Sequence, residues 1–423
     1  MITLLDLPNE LLQLVVETFS LQNLCYLRLV CRRFVMVVDF VLQTRRSLDL
    51  ASIRDEYHEE ACKHCPNVWS VKVPADLTTR TAEYLGQYCK QLRCLILDGC
   101  STVTDACLEP LANCAHLEQL GLLGCEAVTL DGLRNVLEHC PLQRLDIAIK
   151  AATDLWLMEI SRLCASTLKQ FSCDDVAITD IGLAAISSSC VNLESISVMN
   201  CFQVSDASIG LIAQQHPRLT ELEMYVGAVS DETMDILSHC TNLERLILNA
   251  ENLTDAGVRA VACNCIQLQL LELHSASELR NSSILYIAHH LSLLRTLSLN
   301  LLHRCTEQCM LLVSQCENLT ELSLQESAVT DDWLFYLFNG HTRMLQSLRL
   351  SNNYDITDSG VSTVFLDCPR LAALALDGTA ITAATLRRAS RCSTLRVLYL
   401  SGDIHDGNAE AALKQQGCIV QWD

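Results

Sequence analysis

The segment LERLILNAENLTD, residues 243–255, contains the pattern that decides the fold of this chain. Leu243, Leu246 and Leu248 have the spacing L-x-x-L-x-L, and the alternation at the end of this phrase is typical of a strand with one buried face. After a short turn come Thr254 and Asp255, which are residue types that cap the first turn of a helix. The segment therefore predicts a short strand, a turn and a capped helix.

The same phrase recurs along most of the chain, with 24 to 26 residues between successive copies. One such unit cannot bury its own apolar face, whereas stacked units form a continuous core. We therefore predict about 14 stacked repeats, after a degenerate opening strand at residues 47–50. The phrases begin at Val68, Leu92, Leu117, Leu142, Leu168, Leu193, Leu219, Leu243, Leu268, Leu294, Leu319, Leu345, Leu371 and Leu395.

Cysteines follow the same interval. Because cysteine is a small and commonly buried residue, a repeated slot explains these positions better than disulfides or metal binding. Cys62 and Cys65 form one C-x-x-C without a second pair at zinc-finger spacing, so we predict no metal site. Cysteines lie three residues before a phrase at Cys65, Cys89, Cys114, Cys190, Cys240, Cys265, Cys316, Cys368 and Cys392, and eight residues after a phrase start at Cys100, Cys125 and Cys201.

This repeat resembles the cysteine-containing leucine-rich repeats over residues 45–423. The resemblance implies an α/β solenoid of horseshoe shape, with a parallel sheet on the concave side and helices outside. The tenth unit lacks the Thr-Asp pair, so we expect local irregularity there. His216, His290 and His341 fall near the cysteine slot at helix ends, where we expect a role in packing.

The first residues follow a different pattern. Pro8 suits the first turn of a helix, and the apolar side chains of residues 11–19 fall on all sides of that helix. A helix that is apolar on all sides must be covered on all sides. About forty residues cannot bury that much surface alone, so we expect a partner to cover part of it.

Residues 4–44 resemble the F-box. The resemblance rests on L-P-x-E-L-L at residues 7–12, two branched apolar residues at 15 and 16, Asn23-Leu24, and V-C-R-R-F at residues 30–34. Phe34 and Gln43 stand where the family often has tryptophan. The resemblance implies a three-helix domain at residues 1–44 that binds the Skp-type adaptor of an SCF ubiquitin ligase. The adaptor-binding residues would be Leu7, Pro8, Leu11, Leu12, Val15, Val16, Leu24 and Val30.

Composition and charge limit the possible functions. The formal net charge is −20, which argues against nucleic-acid binding and against binding to an anionic membrane. The first segment lacks the basic start of a signal peptide, and no apolar run is long enough for a transmembrane helix. We therefore expect a cytoplasmic or nuclear protein whose 24 cysteines are thiols.

Alternate strand positions on the concave side would form the surface for a protein substrate. In units six to nine, apolar and aromatic residues alternate with charged residues, as at the centre of many interfaces. Strand faces that contact solvent are polar in general, so simple exposure to solvent also explains the charged residues at these positions, and that alternative stays open. The predicted substrate-binding residues are Met199, Glu221, Glu223, Tyr225, Arg245, Ile247, Leu270, Glu272 and His274.

No phosphate loop, dinucleotide fingerprint or hydrolase motif occurs in the sequence. The resemblance thus implies a non-enzymatic subunit without cofactors, which connects a substrate to the Skp-type adaptor and, through it, to a cullin and a RING protein for degradation. For residues 1–44 alone, the alternative is an N-terminal cap of the solenoid. For the whole chain, one alternative is a leucine-rich-repeat scaffold or inhibitor that binds a protein partner without ubiquitylation. The other is a metal- or thiol-dependent enzyme.

Overall fold

A computed structural model describes residues 8–19, 21–28, 30–225, 227–338, 344–402 and 404–422. The chain divides into two compact units, Met1–Leu193 with Val198–Cys201 and Glu194–Ser197 with Phe202–Asp423. Strand β7 (Ser195–Met199) has residues in both units. None of the described helices is long and apolar enough to span a membrane.

The first unit begins with three helices and continues with strands and helices in alternation. The three helices are α1 (Asn9–Glu17), α2 (Leu21–Arg28) and α3 (Arg32–Thr44). The strands that follow are β1 (Ser47–Asp49), β2 (Ser70–Lys72), β3 (Cys94–Ile96), β4 (Gln119–Leu123), β5 (Arg144–Ala148) and β6 (Gln170–Asp174). The helices between and after them are α4 (His58–His64), α5 (Thr79–Tyr88), α6 (Asp105–Leu108), α7 (Leu130–His139), α8 (Asp154–Leu163) and α9 (Asp180–Ser189).

The second unit repeats this alternation. Its strands are β8 (Glu221–Tyr225), β9 (Arg245–Asn249), β10 (Leu270–His274), β11 (Thr296–Leu299), β12 (Glu321–Ser323), β13 (Ser347–Arg349), β14 (Ala373–Ala375), β15 (Val397–Leu400) and β16 (Ile419–Trp422). Its helices are α10 (Asp206–Gln215), α11 (Asp231–Leu237), α12 (Asp255–Asn264), α13 (Asn281–His290), α14 (Gln308–Val313), α15 (Asp331–Phe338), α16 (Asp358–Asp367), α17 (Ala383–Ala389) and α18 (Gly407–Gln415).

Within each unit the strands are parallel and pair with their neighbours in chain order, which confirms the predicted α/β repeat solenoid. Leu246 on β9 pairs with Leu222 and Leu271 on either side, and all three are buried. Burying one leucine side chain stabilises a fold by about 1.5–3 kcal/mol. The repeated leucine row therefore holds consecutive units together. The predicted opening strand is β1, whereas β16 was not predicted.

The predicted cysteine slot is confirmed as a packing position. The Cys265 thiol donates to the Cys240 carbonyl oxygen at 3.5 Å, and the Cys240 thiol donates to the His216 carbonyl oxygen at 3.6 Å. Each thiol thus satisfies a backbone oxygen of the preceding repeat. Burial raises the pKa of Cys140 and Cys265 to about 12, so these thiols remain protonated at neutral pH. All cysteines with described side chains are free thiols.

The packing role predicted for the three histidines near the cysteine slot is confirmed for one of them only. His216 is buried at the end of α10 and fills the cysteine slot, as predicted. The prediction for His290 is wrong, because His290 is exposed and the buried Leu291 fills that slot. His341 lies outside the described residues. The expected irregularity of the tenth unit is confirmed by α14, which has six residues and no side-chain capping bond.

The aspartates of the Thr-Asp and Ser-Asp pairs bind the following repeat. The sequence did not predict this bonding between repeats. Asp358 accepts hydrogen bonds from the Thr382 backbone nitrogen at 3.0 Å and the Thr382 hydroxyl at 2.6 Å. It also accepts from the Thr385 nitrogen at 3.1 Å and the Thr385 hydroxyl at 2.5 Å. Asp331 binds Thr357 in the same way. These carboxylates therefore tie the helix starts of adjacent repeats together.

Replacing Asp358 by alanine should lower the free energy of unfolding by about 2 kcal/mol at pH 7, because four hydrogen bonds to a charged group are lost. Burial alone would raise the pKa of Asp358, but the hydrogen bonds from Thr382 and Thr385 hold it below its usual value. The stabilisation is therefore complete above the ordinary carboxyl pKa of about 4 and is lost as the pH falls below it.

Urea unfolding of this variant at pH 7 and at decreasing pH measures the effect. The exposed Asp355, in the preceding loop, provides the control variant Asp355→Ala. If the stability difference between Asp358→Ala and the unmodified chain did not shrink in acid, the carboxylate would not be the source of the stabilisation.

Candidate adaptor and substrate surfaces

Helices α1, α2 and α3 bury their own small core. Leu12 and Val16 on α1 and Leu24 on α2 are fully buried, and they share this core with Phe34 and Val38 on α3. Both α1 and α2 pack against α3. The apolar helix α1 is thus covered partly by its own neighbours.

This core revises the predicted adaptor surface. Leu12, Val16 and Leu24 have no exposed side-chain surface, so they support the helices and cannot contact a partner in this conformation. Pro8 is exposed, and Val15 is half-buried. Val30 is 62% exposed and remains available to a partner. Leu7 and the side chain of Leu11 lie outside what the structure describes.

Helix α3 presents an apolar surface that the sequence reasoning did not single out. Met36 is 64% exposed and Phe40 is 51% exposed. They are four residues apart and therefore lie on one side of the helix, whereas Val37, Val38 and Val41 are buried. The 3.6-residue period of α3 was a signal that could have separated the two faces. Exposed large apolar residues on a small domain indicate an interaction surface.

Polar contacts join α2 to α3, and α3 to the opening unit that precedes the first repeat. The Arg28 guanidinium on α2 lies 2.8 Å from the Asp39 carboxylate on α3. His64 on α4 lies 3.7 Å from Asp39 and 3.1 Å from Glu60. The Asn67 amide donates to the Gln43 carbonyl oxygen at 3.0 Å. Helix α3 is therefore joined directly to the unit that opens the solenoid.

The predicted substrate residues all lie at half-buried positions on β7 to β10, where strand side chains alternate between the two faces. Met199 belongs to the first unit, and the other eight residues belong to the second. In the second unit, Arg245 lies 3.0 Å from Glu223 and 3.9 Å from Glu221. The Ser195 hydroxyl also donates to Glu221 at 3.0 Å. These contacts hold the charged side chains in fixed positions.

Aromatic residues extend this surface along β8 and β10. The rings of Tyr225 and His274 meet edge to face with centroids 5.1 Å apart. The His274 imidazole lies 3.8 Å from Glu272. Ile247 and Leu270, also half-buried, add apolar surface between the charges. Aromatic and apolar side chains surrounded by charge suit contacts with a partner protein, and the excess of carboxylates favours a basic or mixed-charge segment.

The arrangement offers no metal site within the part of the chain that the structure describes, because no three His, Cys, Asp or Glu side chains come together there. Whether the substrate surface binds a partner stays a prediction, since half-burial at alternate positions is common to solvated strands. The same holds for the domain boundary at residue 44, although α3 ends at Thr44 and β1 begins at Ser47.

Comparison with known proteins identifies the N-terminal helices. Residues 4–41 match the F-box domain family. The chain is 23% identical over 280 residues to the F-box/LRR-repeat protein 4 of Bos taurus, across 62% of this chain and 45% of that protein. It is 26% identical over 293 residues to the Transport inhibitor response 1-like protein Os11g0515500 of Oryza sativa subsp. japonica, across 61% of this chain and 48% of that protein.

Among solved structures, the crystal structure of the Rad7 and Elc1 complex in yeast is similar to this chain, with a TM-score of 0.62 and 16% identity over 95% of this chain and 98% of that one. This likeness supports the fold. The chain spans about half the length of the curated relatives that it matches.

Proposed function

We propose that this chain, an F-box protein with leucine-rich repeats, is the substrate-recognition subunit of an SCF-type cullin-RING ubiquitin ligase. Helices α1 to α3 bind the Skp-type adaptor, and through it the cullin and the RING protein. The repeats bind a protein substrate that is then ubiquitylated and degraded. The same proposal locates the chain in the cytoplasm or the nucleus.

The observation that carries this proposal is the F-box match over residues 4–41, placed directly before the repeats. Only Arg45 and Arg46 separate α3 from β1. The exposed Val30, Met36 and Phe40 supply apolar surface for an adaptor. The contacts of Asp39 with His64 and of Gln43 with Asn67 hold that surface beside the opening unit of the solenoid.

The chain contributes proximity and no catalytic side chain in this proposal. Holding a substrate beside a charged ubiquitin-conjugating enzyme turns an encounter in solution into a reaction between bound partners. The gain is an effective concentration, which depends on simultaneous binding of adaptor and substrate. The surface around Arg245, Tyr225 and His274 is the proposed substrate site, and its acidic side chains favour a basic or mixed-charge segment.

Affinity purification under proteasome inhibition tests both halves of the proposal. Deleting residues 1–44 should reduce the Skp-type adaptor and the cullin to background, because the binding domain is removed, while substrates remain bound. The double variant Glu221→Lys with Tyr225→Ala should keep the adaptor and lose substrates. Quantitative mass spectrometry of the recovered proteins measures both results.

The chain offers a matched control on another strand. Glu321 and Gln325 occupy the same repeat positions on and after β12 as Glu221 and Tyr225 occupy on β8. The variant Glu321→Lys with Gln325→Ala should keep both adaptor and substrates. Unchanged adaptor recovery after deletion of residues 1–44 would contradict the proposal and favour a repeat scaffold that acts without ubiquitylation.

A further inference from the structure

Two arginines lie over one half-exposed tryptophan where the first strands begin. The indole of Trp69 is 42% exposed. The guanidinium carbons of Arg46 and Arg93 are 4.4 Å and 5.2 Å from the centroid of its ring. The Trp69 nitrogen donates to the Arg46 oxygen, and the Arg93 nitrogen donates to the Trp69 oxygen, both at 2.8 Å. The three residues therefore occupy equivalent positions before three adjacent strands.

Lys72 and Ile96 continue this surface on β2 and β3. They are partners in the strand register, and both are exposed. Within the described residues, Lys72 forms no ion pair. The next position in the register is Gly121, which has no side chain, and the Ile96 side chain and the Asp98 carboxylate border the space above it. We call Arg46, Trp69, Lys72, Arg93 and Ile96 the Trp69 patch.

The charge of the Trp69 patch is opposite to that of the whole chain. Three cations stand here in a protein with a formal net charge of −20. The carboxylates beside the patch are Glu118, which lies 3.3 Å from Arg93, Asp49, which is the register partner of Lys72, and Asp98, which borders Gly121 together with Ile96. Exposed ion pairs of this kind contribute little to stability. The patch therefore keeps cationic groups available for an anionic partner.

We propose that the Trp69 patch binds an acidic segment of a partner protein. Tryptophan and arginine are the residues that contribute most to binding at protein interfaces. Arg46 and Arg93 are two strands apart, about 9–10 Å across the sheet, which equals about three residues of a segment in the polyproline II conformation, where every third side chain lies on the same face. A segment with carboxylates at every third residue could pair with both arginines. Duplex nucleic acid is disfavoured, because the acidic chain repels it.

This surface differs from the Arg245 surface in its charge preference. Binding of the acidic segment is independent of ubiquitylation, and only the fate of the bound partner rests on the proposed function. Because adaptor recovery is a separate measurement, loss of adaptor binding and loss of acidic-segment binding can be distinguished.

Fluorescence anisotropy with the full chain tests the proposal. The probe is a short fluorescein-labelled peptide with glutamate at every third position and glycine elsewhere. The double variant Arg46→Glu with Arg93→Glu should weaken its binding at least about tenfold, because two attractive charge pairs become repulsive. The single variant Lys72→Glu should weaken binding too, and its exposed, unpaired position makes a folding defect unexpected.

The control variant reverses two exposed arginines of the second unit, Arg388→Glu with Arg391→Glu, and should bind the peptide as the unmodified chain does. Equal weakening by the control would overturn the proposal, because binding would then follow net charge alone. Tighter binding of a DNA duplex than of the peptide would overturn it in favour of a nucleic-acid site. Equal binding of a lysine-containing peptide would show that the patch does not select acidic residues.

Discussion

Replacing Asn353 by alanine is expected to lower the free energy of unfolding of the last repeats by about 4 kcal/mol, because several buried backbone groups lose their partner. The Asn353 side chain is fully buried. Its amide group donates to the carbonyl oxygens of Leu324 and Leu350, both at 2.8 Å. Its oxygen accepts from the nitrogens of Ser327 at 3.0 Å and Val329 at 2.9 Å. The side chain thus joins two consecutive repeats through four backbone groups.

Cysteine is the informative control at this position. Cys100 and Cys125 occupy the same slot in earlier repeats, and the Cys125 thiol donates to the Leu97 carbonyl oxygen at 3.3 Å. Asn353→Cys should therefore lose less stability than Asn353→Ala, since one donor is kept. Because repeat proteins can unfold in parts, hydrogen exchange at Ser327 and Val329 should be measured beside urea unfolding. Equal stability of the alanine variant and the unmodified chain would refute this role.

The repeat interval predicted the positions of the strands well, because strand side chains alternate within a few residues of one another. Leu246 and Leu271 were predicted to point inward and are buried. The role of Asp358 was not predicted, because a capping residue is expected to bond within its own helix. The Asp358 carboxylate instead binds Thr382 and Thr385 of the following repeat. Aligning the repeats beneath one another would have placed Asp358 beside Thr382.

The burial of the apolar residues in α1 to α3 was predicted less well than the fold. The apolar residues of α1 fall on all sides of the helix, so the sequence could not tell which of them face α3. The structure places Leu12 and Val16 inside. That choice depends on how three helices pack, which is tertiary information. On β8 to β10 the alternation predicted half-exposed positions, but exposure alone does not identify a partner.

Replacing Leu24 by aspartate is expected to abolish recovery of the Skp-type adaptor by unfolding α1 to α3. Leu24 is fully buried, and an unpaired charge in such a place costs more than about 4 kcal/mol. A three-helix domain of this size has little stability to lose. Limited proteolysis and hydrogen exchange of residues 9–44 should show the unfolding, while the repeats remain protected.

Replacing Val30 by aspartate separates contact from folding, because Val30 is 62% exposed. A change at such a site should alter stability by no more than about 0.5 kcal/mol, so residues 9–44 should stay protected while adaptor recovery falls. Full recovery by the folded Val30→Asp variant would remove Val30 from the docking surface. Normal adaptor recovery by Leu24→Asp would contradict the proposal that folded α1 to α3 bind the adaptor. An adaptor that tolerates the loss of this core cannot be recognising the folded helices.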